Sequence, residues 1–247
     1  MAQTVVVAGV GPGLGASLVR KFAAEGCSVG MFARSAEYLK ELESDLQGEA
    51  GEVLSVPTDI TDPDAVSEGF EAVRNAFDPV DTLINHASGG AWSGLTDISP
   101  EGFEEAWRVS AYGALLCSQE AAEDMLADGA GGGGANEADE ASDGRGTILF
   151  TGATSALRGR EDALGFSAAK FAVRGMAESM ARELGPQGIH VAHAVIDGGI
   201  LPPNRDVESP EEYLEPGAIA DSYWHLTQQD PSAWTLELDV RPHVEEF

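Results

Sequence analysis

The sequence predicts an α/β fold, a doubly wound parallel sheet of seven strands with helices on both faces (three layers, α/β/α). Three observations carry this. Short apolar runs alternate with amphipathic stretches from Thr4 to Val240. The stretches between successive runs are long enough for a helix, as a parallel crossover needs. The 247 residues show no break in composition, so positions 1–247 are expected to form one domain. A chain of that length can bury enough apolar surface to hold without a metal or a disulfide staple.

The elements follow in order. Thr4–Ala8 is an uninterrupted apolar strand, and Gly13–Glu25 has helical spacing through Leu14, Leu18, Val19 and Phe22. Cys27–Ala33 reads as a strand, Ala36–Leu46 as a helix and Glu52–Pro57 as a strand. Asp62–Phe77 is a helix opened by Thr61-Asp62-Pro63, where proline suits the first turn. Val80–Asn85 is a strand, and Ser99-Pro100-Glu101 opens a long helix over Ser99–Leu126. Thr147–Thr151 is a strand, Ala163–Leu184 a long helix and Ile189–Ile196 a strand. Pro210–Gln228 is mostly helical, and Trp234–Val240 alternates as a last strand. Residues 129–146, GAGGGGANEADEASDGRG, hold no apolar side chain larger than Ala and predict a flexible surface loop.

Charge excludes whole classes of partner. Forty-two acidic residues face fourteen basic ones, a formal net charge of −28, and only Lys21, Lys40 and Lys170 are lysine. Nucleic acid and anionic membranes would be repelled. A lysine-poor acidic surface suits concentrated salt, which screens the self-repulsion, and points to a halophilic protein. Cys27 and Cys117 have no CxxC spacing and read as reduced core thiols. Neither a leader pattern nor an apolar stretch of membrane-spanning length occurs, and a soluble cytoplasmic protein is expected.

Chemistry begins at Ala8-Gly9-Val10-Gly11-Pro12-Gly13-Leu14-Gly15, between the first strand and the first helix. Glycines there let a pyrophosphate approach the backbone at a helix N-terminus. The spacing is GxxxGxG through Gly9, Gly13 and Gly15, because Leu14 stands where GxGxxG needs glycine. The second strand ends in Phe32-Ala33-Arg34-Ser35, without the carboxylate that would bind a ribose 2′-hydroxyl. Arg34 and Ser35 suit a 2′-phosphate instead.

With Asp59-Ile60-Thr61, Asp81-Thr82-Leu83-Ile84-Asn85-His86-Ala87-Ser88, Lys170 and Ile196-Asp197-Gly198-Gly199-Ile200, this loop resembles the short-chain dehydrogenase/reductase family along nearly the whole chain. The resemblance implies a Rossmann-type fold and the cofactor NADP(H). It places Gly9, Gly11, Gly13, Leu14, Gly15, Arg34, Ser35, Asp59, Ile60, Asn85, His86, Ala87, Lys170, Gly198 and Ile200 around that cofactor. Residues 200–230, with Leu201-Pro202-Pro203 and Trp224, correspond to the family's substrate lid, and their apolar side chains suit a partly apolar carbonyl or alcohol. The long helices and the last strand resemble those that join family subunits, which implies a homodimer or homotetramer.

The catalytic positions depart from the family, which uses Ser, Tyr, Lys and Asn. Aligning Gly146–Gly159 puts Ala153 in the serine slot, followed by Thr154 and Ser155. Thirteen residues on, the tyrosine slot holds Phe166, four residues before Lys170, and the asparagine slot holds Ser110. Phenylalanine has no proton to exchange, so acid–base chemistry must come from another group. Thr154 or Ser155 could orient a carbonyl, and Asp197 and His86 are the nearest titratable candidates; their bland readings are a turn-capping aspartate and a packed histidine. Tyr112, two positions from Ser110, should face elsewhere. The expected function is an NADP(H)-dependent oxidoreductase with an altered proton donor. The rival is a non-catalytic NADP(H)-binding regulatory protein.

Overall fold

The structure is a computed structural model that describes residues 2–127, 145–203 and 206–245. Its elements run β1 (Thr4–Ala8), α1 (Leu14–Ala24), β2 (Ser28–Ala33), α2 (Ala36–Asp45), β3 (Val53–Pro57), α3 (Pro63–Ala76), β4 (Thr82–Asn85), α4 (Pro100–Trp107) and α5 (Gly113–Leu126). The second half adds β5 (Gly146–Thr151), α6 (Leu164–Leu184), β6 (Ile189–Ile196), β7 (Gly199–Ile200), β8 (Tyr213–Leu214), α7 (Pro216–Thr227) and β9 (Glu237–Val240).

The main sheet has seven strands in the order β3-β2-β1-β4-β5-β6-β9, all parallel. Strands buried on both faces must be apolar on both, which is why β1 reads TVVVA without alternation. Val5 and Val7 pack against α1, α2 and α7, while Val6 and Ala8 pack against α3, α5 and α6. The chain builds outward from β1 to β3, then returns to lay β4 on the other side of β1. Beyond the carboxyl ends of the strands, that reversal leaves the crevice in which open α/β sheets bind ligands.

The expected caps are in place. Asp62 accepts from the Asp64 and Ala65 amides with Pro63 at the first turn of α3, and Ser99 caps α4 ahead of Pro100. Three elements differ from expectation. The helix expected over Ser99–Leu126 is interrupted by a π-helical turn at Arg108–Tyr112, and such bulges recur at functional sites. The stretch Pro210–Gln228 is not one helix. Pro210 and Pro216 each start a new turn, and between them Tyr213–Leu214 pairs with Gly199–Ile200 as a second, two-stranded sheet. The last strand begins only at Glu237, because Asp230 caps a short 3-10 turn at Pro231–Ala233 and Trp234 stacks on His190 instead of joining the sheet. Of the expected loop at 129–146, residues 129–144 lie outside the described residues, and Gly146 already belongs to β5. Among the described residues no helix is long and apolar enough to cross a membrane. Cys27 and Cys117 are buried free thiols, and burial raises them to about 11 and about 12.

Candidate functional site

The glycine loop closes the carboxyl end of β1. Gly9 has φ +110°, and a Cβ there would collide with the Ala87 backbone. Its position is fixed by hydrogen bonds that the Gly9 and Val10 amides donate to the Phe32 carbonyl, and the His86 and Ala87 amides to the Ala8 carbonyl. A Cβ on Gly15 would stand 2.8 Å from the Gly9 carbonyl oxygen. These two glycines are thus required by packing. The other two face empty space: nothing lies within 4 Å of a Cβ on Gly11, and Gly13, at φ +152°, would meet only Pro203, at 3.9 Å. Gly13 precedes α1 with no side-chain cap; the Ala16 amide donates to the Gly11 carbonyl, and the Leu14 and Gly15 amides have no hydrogen-bond partner among the described residues. An open cradle of amides in front of a helix suits a pyrophosphate, and on this test the residues fit a dinucleotide.

At the end of β2, Arg34 is exposed and Ser35 caps α2 by accepting from the Tyr38 amide. Asp59 accepts from the Thr61 amide and hydroxyl, which lowers its pKa, with help from the charges of Arg34 and Arg108. Ile60 beside it is buried against Gly113. Asn85, at the end of β4, is buried; its amide donates to Ser118 Oγ at 3.1 Å, and its Oδ1 has no partner among the described residues.

Beyond β4, β5 and β6 lies a cleft of about 740 Å³, lined among others by His86, Ala153, Thr154, Ser155, Phe166, Lys170, Asp197, Gly198 and Ile200. Lys170 is 3% exposed, and its Nζ donates to the Thr151 carbonyl at 2.8 Å. Burial lowers its pKa to about 8. One turn earlier on α6, Phe166 presents its ring to that ammonium, 5.6 Å from centroid to Nζ. Trp92 stacks on that ring at 4.4 Å and 25°. Ala153 is extended and carries only a methyl group into the cleft, and Ser155, which also lines it, is buried.

The remaining candidates are held by partners. The Thr154 hydroxyl donates to Asp197 Oδ1 at 2.5 Å, and Arg241 stands 3.3 Å from Asp197 Oδ2. His86 Nδ1 lies 3.2 Å from Thr151 Oγ1, which also receives the Tyr223 hydroxyl at 2.9 Å. Burial first, then the charge of Lys170, lowers His86 to about 4, so its ring is neutral near pH 7. Ser110 sits in the π turn and accepts from the Gly89 amide at 3.0 Å. Tyr112 faces away, stacked on Trp107 beneath Arg108.

Sequence reasoning missed several residues here. Trp92, Arg158 and Arg160 line the cleft, and Thr151 joins His86, Lys170 and Tyr223. No motif marks them; only the two arginines, three residues from start to end in an acid-rich chain, gave a signal. Of residues 200–230, Ile200 lines the cleft and Pro203 faces Gly13. Trp224 instead packs edge-on against Phe22 under α1, at 5.3 Å, and so does not cover the site.

Residues 3–212 match the family described as short chain dehydrogenase. A 3alpha-hydroxysteroid dehydrogenase of Mediterraneibacter gnavus is 27% identical over 87% of this chain and 80% of its own length. A D-xylose 1-dehydrogenase of Caulobacter vibrioides is 28% identical over 80% of this chain and 72% of its own. Among solved structures, a short-chain dehydrogenase from Rhodopseudomonas palustris superposes with a TM-score of 0.81 at 32% identity, covering 98% of this chain and 99% of that one. An alcohol dehydrogenase from Thermococcus sibiricus, complexed with 5-hydroxy-NADP, shares the fold at a TM-score of 0.84 and 20% identity, covering 100% and 99%. With the seven-stranded Rossmann sheet, the open glycine cradle and the lysine cleft in one molecule, the chain belongs to the short chain dehydrogenase family of oxidoreductases.

Proposed function

We propose that this protein is an NADP(H)-dependent oxidoreductase that interconverts a carbonyl and an alcohol, with Lys170 as the acid–base group at the substrate oxygen. One observation carries the reading: a buried ammonium, lowered to about 8, stands in the cleft beside a phenylalanine. When bound, the nicotinamide supplies hydride to a carbonyl carbon or takes it from an alcohol.

Gly9, Gly11, Gly13, Leu14 and Gly15 would hold the pyrophosphate, Asp59 and Ile60 the adenine, and Arg34 with Ser35 the 2′-phosphate. Asn85, His86, Ala87, Gly198 and Ile200 would flank the nicotinamide half. Phe166, Ala153 and Ser110 then stand where relatives in the family use Tyr, Ser and Asn. The proton source follows by exclusion among these groups. The Thr154 hydroxyl spends its one proton on Asp197, and Asp197 is engaged by Thr154 and Arg241. His86 is neutral and a poor acid. Lys170 gives one of its three protons to Thr151 and keeps two for the substrate oxygen or a water. In reduction it donates a proton as the alkoxide forms; in oxidation the neutral amine takes it back. Ser155 would orient the carbonyl.

We also read the chain as a homodimer or homotetramer. Phe103 and Trp107 on α4, and Leu164 and Phe171 on α6, expose apolar surface that a second copy would cover. Leu201, Pro202 and Pro203 form the part of 200–230 that would close over substrate.

The test is incubation with NADPH and a panel of ketones and aldehydes while nicotinamide absorbance is followed. Turnover that is lost in Lys170→Met supports the reading. Tight NADPH binding with no turnover on the panel, or in the reverse direction on alcohols, would favour the non-catalytic regulatory reading, for which the proton-free side chains Phe166 and Ala153 speak.

A further inference from the structure

Two cations of the cleft have no work in the chemistry above. Arg158 and Arg160 stand on the loop between β5 and α6, exposed, and both line the cleft. Among the described residues neither guanidinium makes an ion pair or a side-chain hydrogen bond. Arg20, Arg74, Arg174, Arg182 and Arg241, by contrast, each lie against a carboxylate. Arg34, Arg108 and Arg145 likewise make no ion pair among the described residues, so what sets Arg158 and Arg160 apart is that they stand two positions apart on the wall of the cleft. Two adjacent ones left open at a cleft make a local positive spot in a strongly negative molecule.

The carboxylates around the cleft do not neutralise it. Asp197 lies 3.3 Å from Arg241 Nη2, and the charge of Glu245 acts on the same arginine. Neighbouring Glu161 and Asp162 do not line the cleft, and Asp162 is turned toward Gly94. Nor do these arginines belong to the expected phosphate sites: neither the glycine loop nor Arg34 lines this cleft. Beside them the indole of Trp92 is 60% exposed and stacked on Phe166, a flat apolar shelf leading to Lys170.

We propose that the substrate is a carbonyl compound, or the matching alcohol, that bears a carboxylate: Arg158 and Arg160 bind the carboxylate, and Trp92 with Phe166 carries a flat apolar body between it and the reacting carbon. The guanidinium fork matches carboxylate geometry in a way no other group of the cleft does. The net charge of the chain repels anions at long range, so selection for an acid must come from these two side chains. The proposal rests on the carbonyl-oxidoreductase reading above for its reaction, but its binding part is independent of turnover.

The experiment uses the full chain at fixed salt with NADPH present, and two acids in which a benzene ring separates carboxylate and carbonyl, 4-acetylbenzoate and 4-formylbenzoate, each beside its methyl ester. Affinity is read by calorimetry and turnover by nicotinamide absorbance. At least one acid should bind about tenfold or more tightly than its ester, the size of a charge-assisted contact, and appear as a lower KM with similar kcat. In Arg158→Gln/Arg160→Gln the preference should vanish, and Arg158→Lys/Arg160→Lys should restore part of it. Each single substitution should remove part of it, which covers a double variant that fails to fold. Acids bound no better than esters, or a preference that survives the double substitution, overturns the proposal. Arginine-dependent binding of an acid that is never reduced leaves the carboxylate site standing and overturns the proposed reaction.

Discussion

The ammonium of Lys170 lies 5.6 Å from the centre of the Phe166 ring, so this buried cation faces a π surface. A π face attracts the charge but cannot pass on a proton. On the proposed reading the lysine is therefore the titrating group itself.

Its pH dependence follows with a definite sign. Burial lowers Lys170 to about 8, so the proton-donating ammonium predominates below that pH and is lost above it. The reductive kcat should be level from pH 6 to 7.5 and fall about tenfold per unit above pH 8. The oxidative kcat should rise through the same point. Because His86 sits at about 4, no inflection is expected between pH 5 and 7. Pre-steady-state pH profiles of hydride transfer check this; a break near 6.5 would move the role to His86.

Cofactor choice turns on Arg34. It is exposed at the end of β2, and no carboxylate follows it on that strand. NADPH should bind about tenfold or more tightly than NADH, since a charge-assisted contact contributes about 1.5–3 kcal/mol. Arg34→Ala should bring the two affinities together in a fluorescence titration. Equal affinities in the natural protein, or a preference unchanged by the substitution, would refute the 2′-phosphate role.

How legible was this site in the chain? The sheet was, because period and glycine placement act locally: β1 needs apolar residues on both faces, and Gly9 needs its positive φ. The short pairing of Gly199–Ile200 with Tyr213–Leu214 was not, since two-residue strands have no period. Nor was the π turn at Ser110, which depends on one extra residue in a helix whose apolar pattern stays continuous. Phe166 and Lys170 could be found from their spacing. Trp92 could not, because its stacking on Phe166 joins residues 74 positions apart and nothing local requires it. The same holds for Tyr223 of α7, fully buried with its hydroxyl on Thr151, 72 positions away. Trp224 was misplaced because amphipathic spacing names an apolar face but not the element that covers it, here α1 through Phe22.

Salt should stabilise the fold. The net charge of −28 is spread over a surface with few basic partners, and folding brings those carboxylates closer together. Raising salt from 0.1 M to 1 M shortens the Debye length from about 10 Å to about 3 Å, which removes most repulsion between exposed charges. The melting temperature should therefore climb across that range, by scanning calorimetry at constant pH. A flat or falling curve would contradict a halophilic adaptation.

The sharpest test adds a hydroxyl to the Phe166 ring. Phe166 lies one helical turn before Lys170 and lines the cleft, and Ala153 lines it from the end of β5. Tyrosine adds its oxygen at the far end of the ring and in its plane, so the stack on Trp92 can persist. With the phenol beside an ammonium already lowered to about 8, its own pKa should fall, as an adjacent cation favours phenolate. A positioned acid–base group is worth about 10²–10⁴ in rate. Phe166→Tyr, and more so Phe166→Tyr with Ala153→Ser, should raise kcat on simple ketones by at least about tenfold while NADPH affinity holds. The pH profile should change as well, because two groups now titrate together. If the double variant binds NADPH normally and gains nothing, the surrounding residues have adapted to the phenylalanine, and Lys170 with its water carries the chemistry by a geometry that a phenol only obstructs.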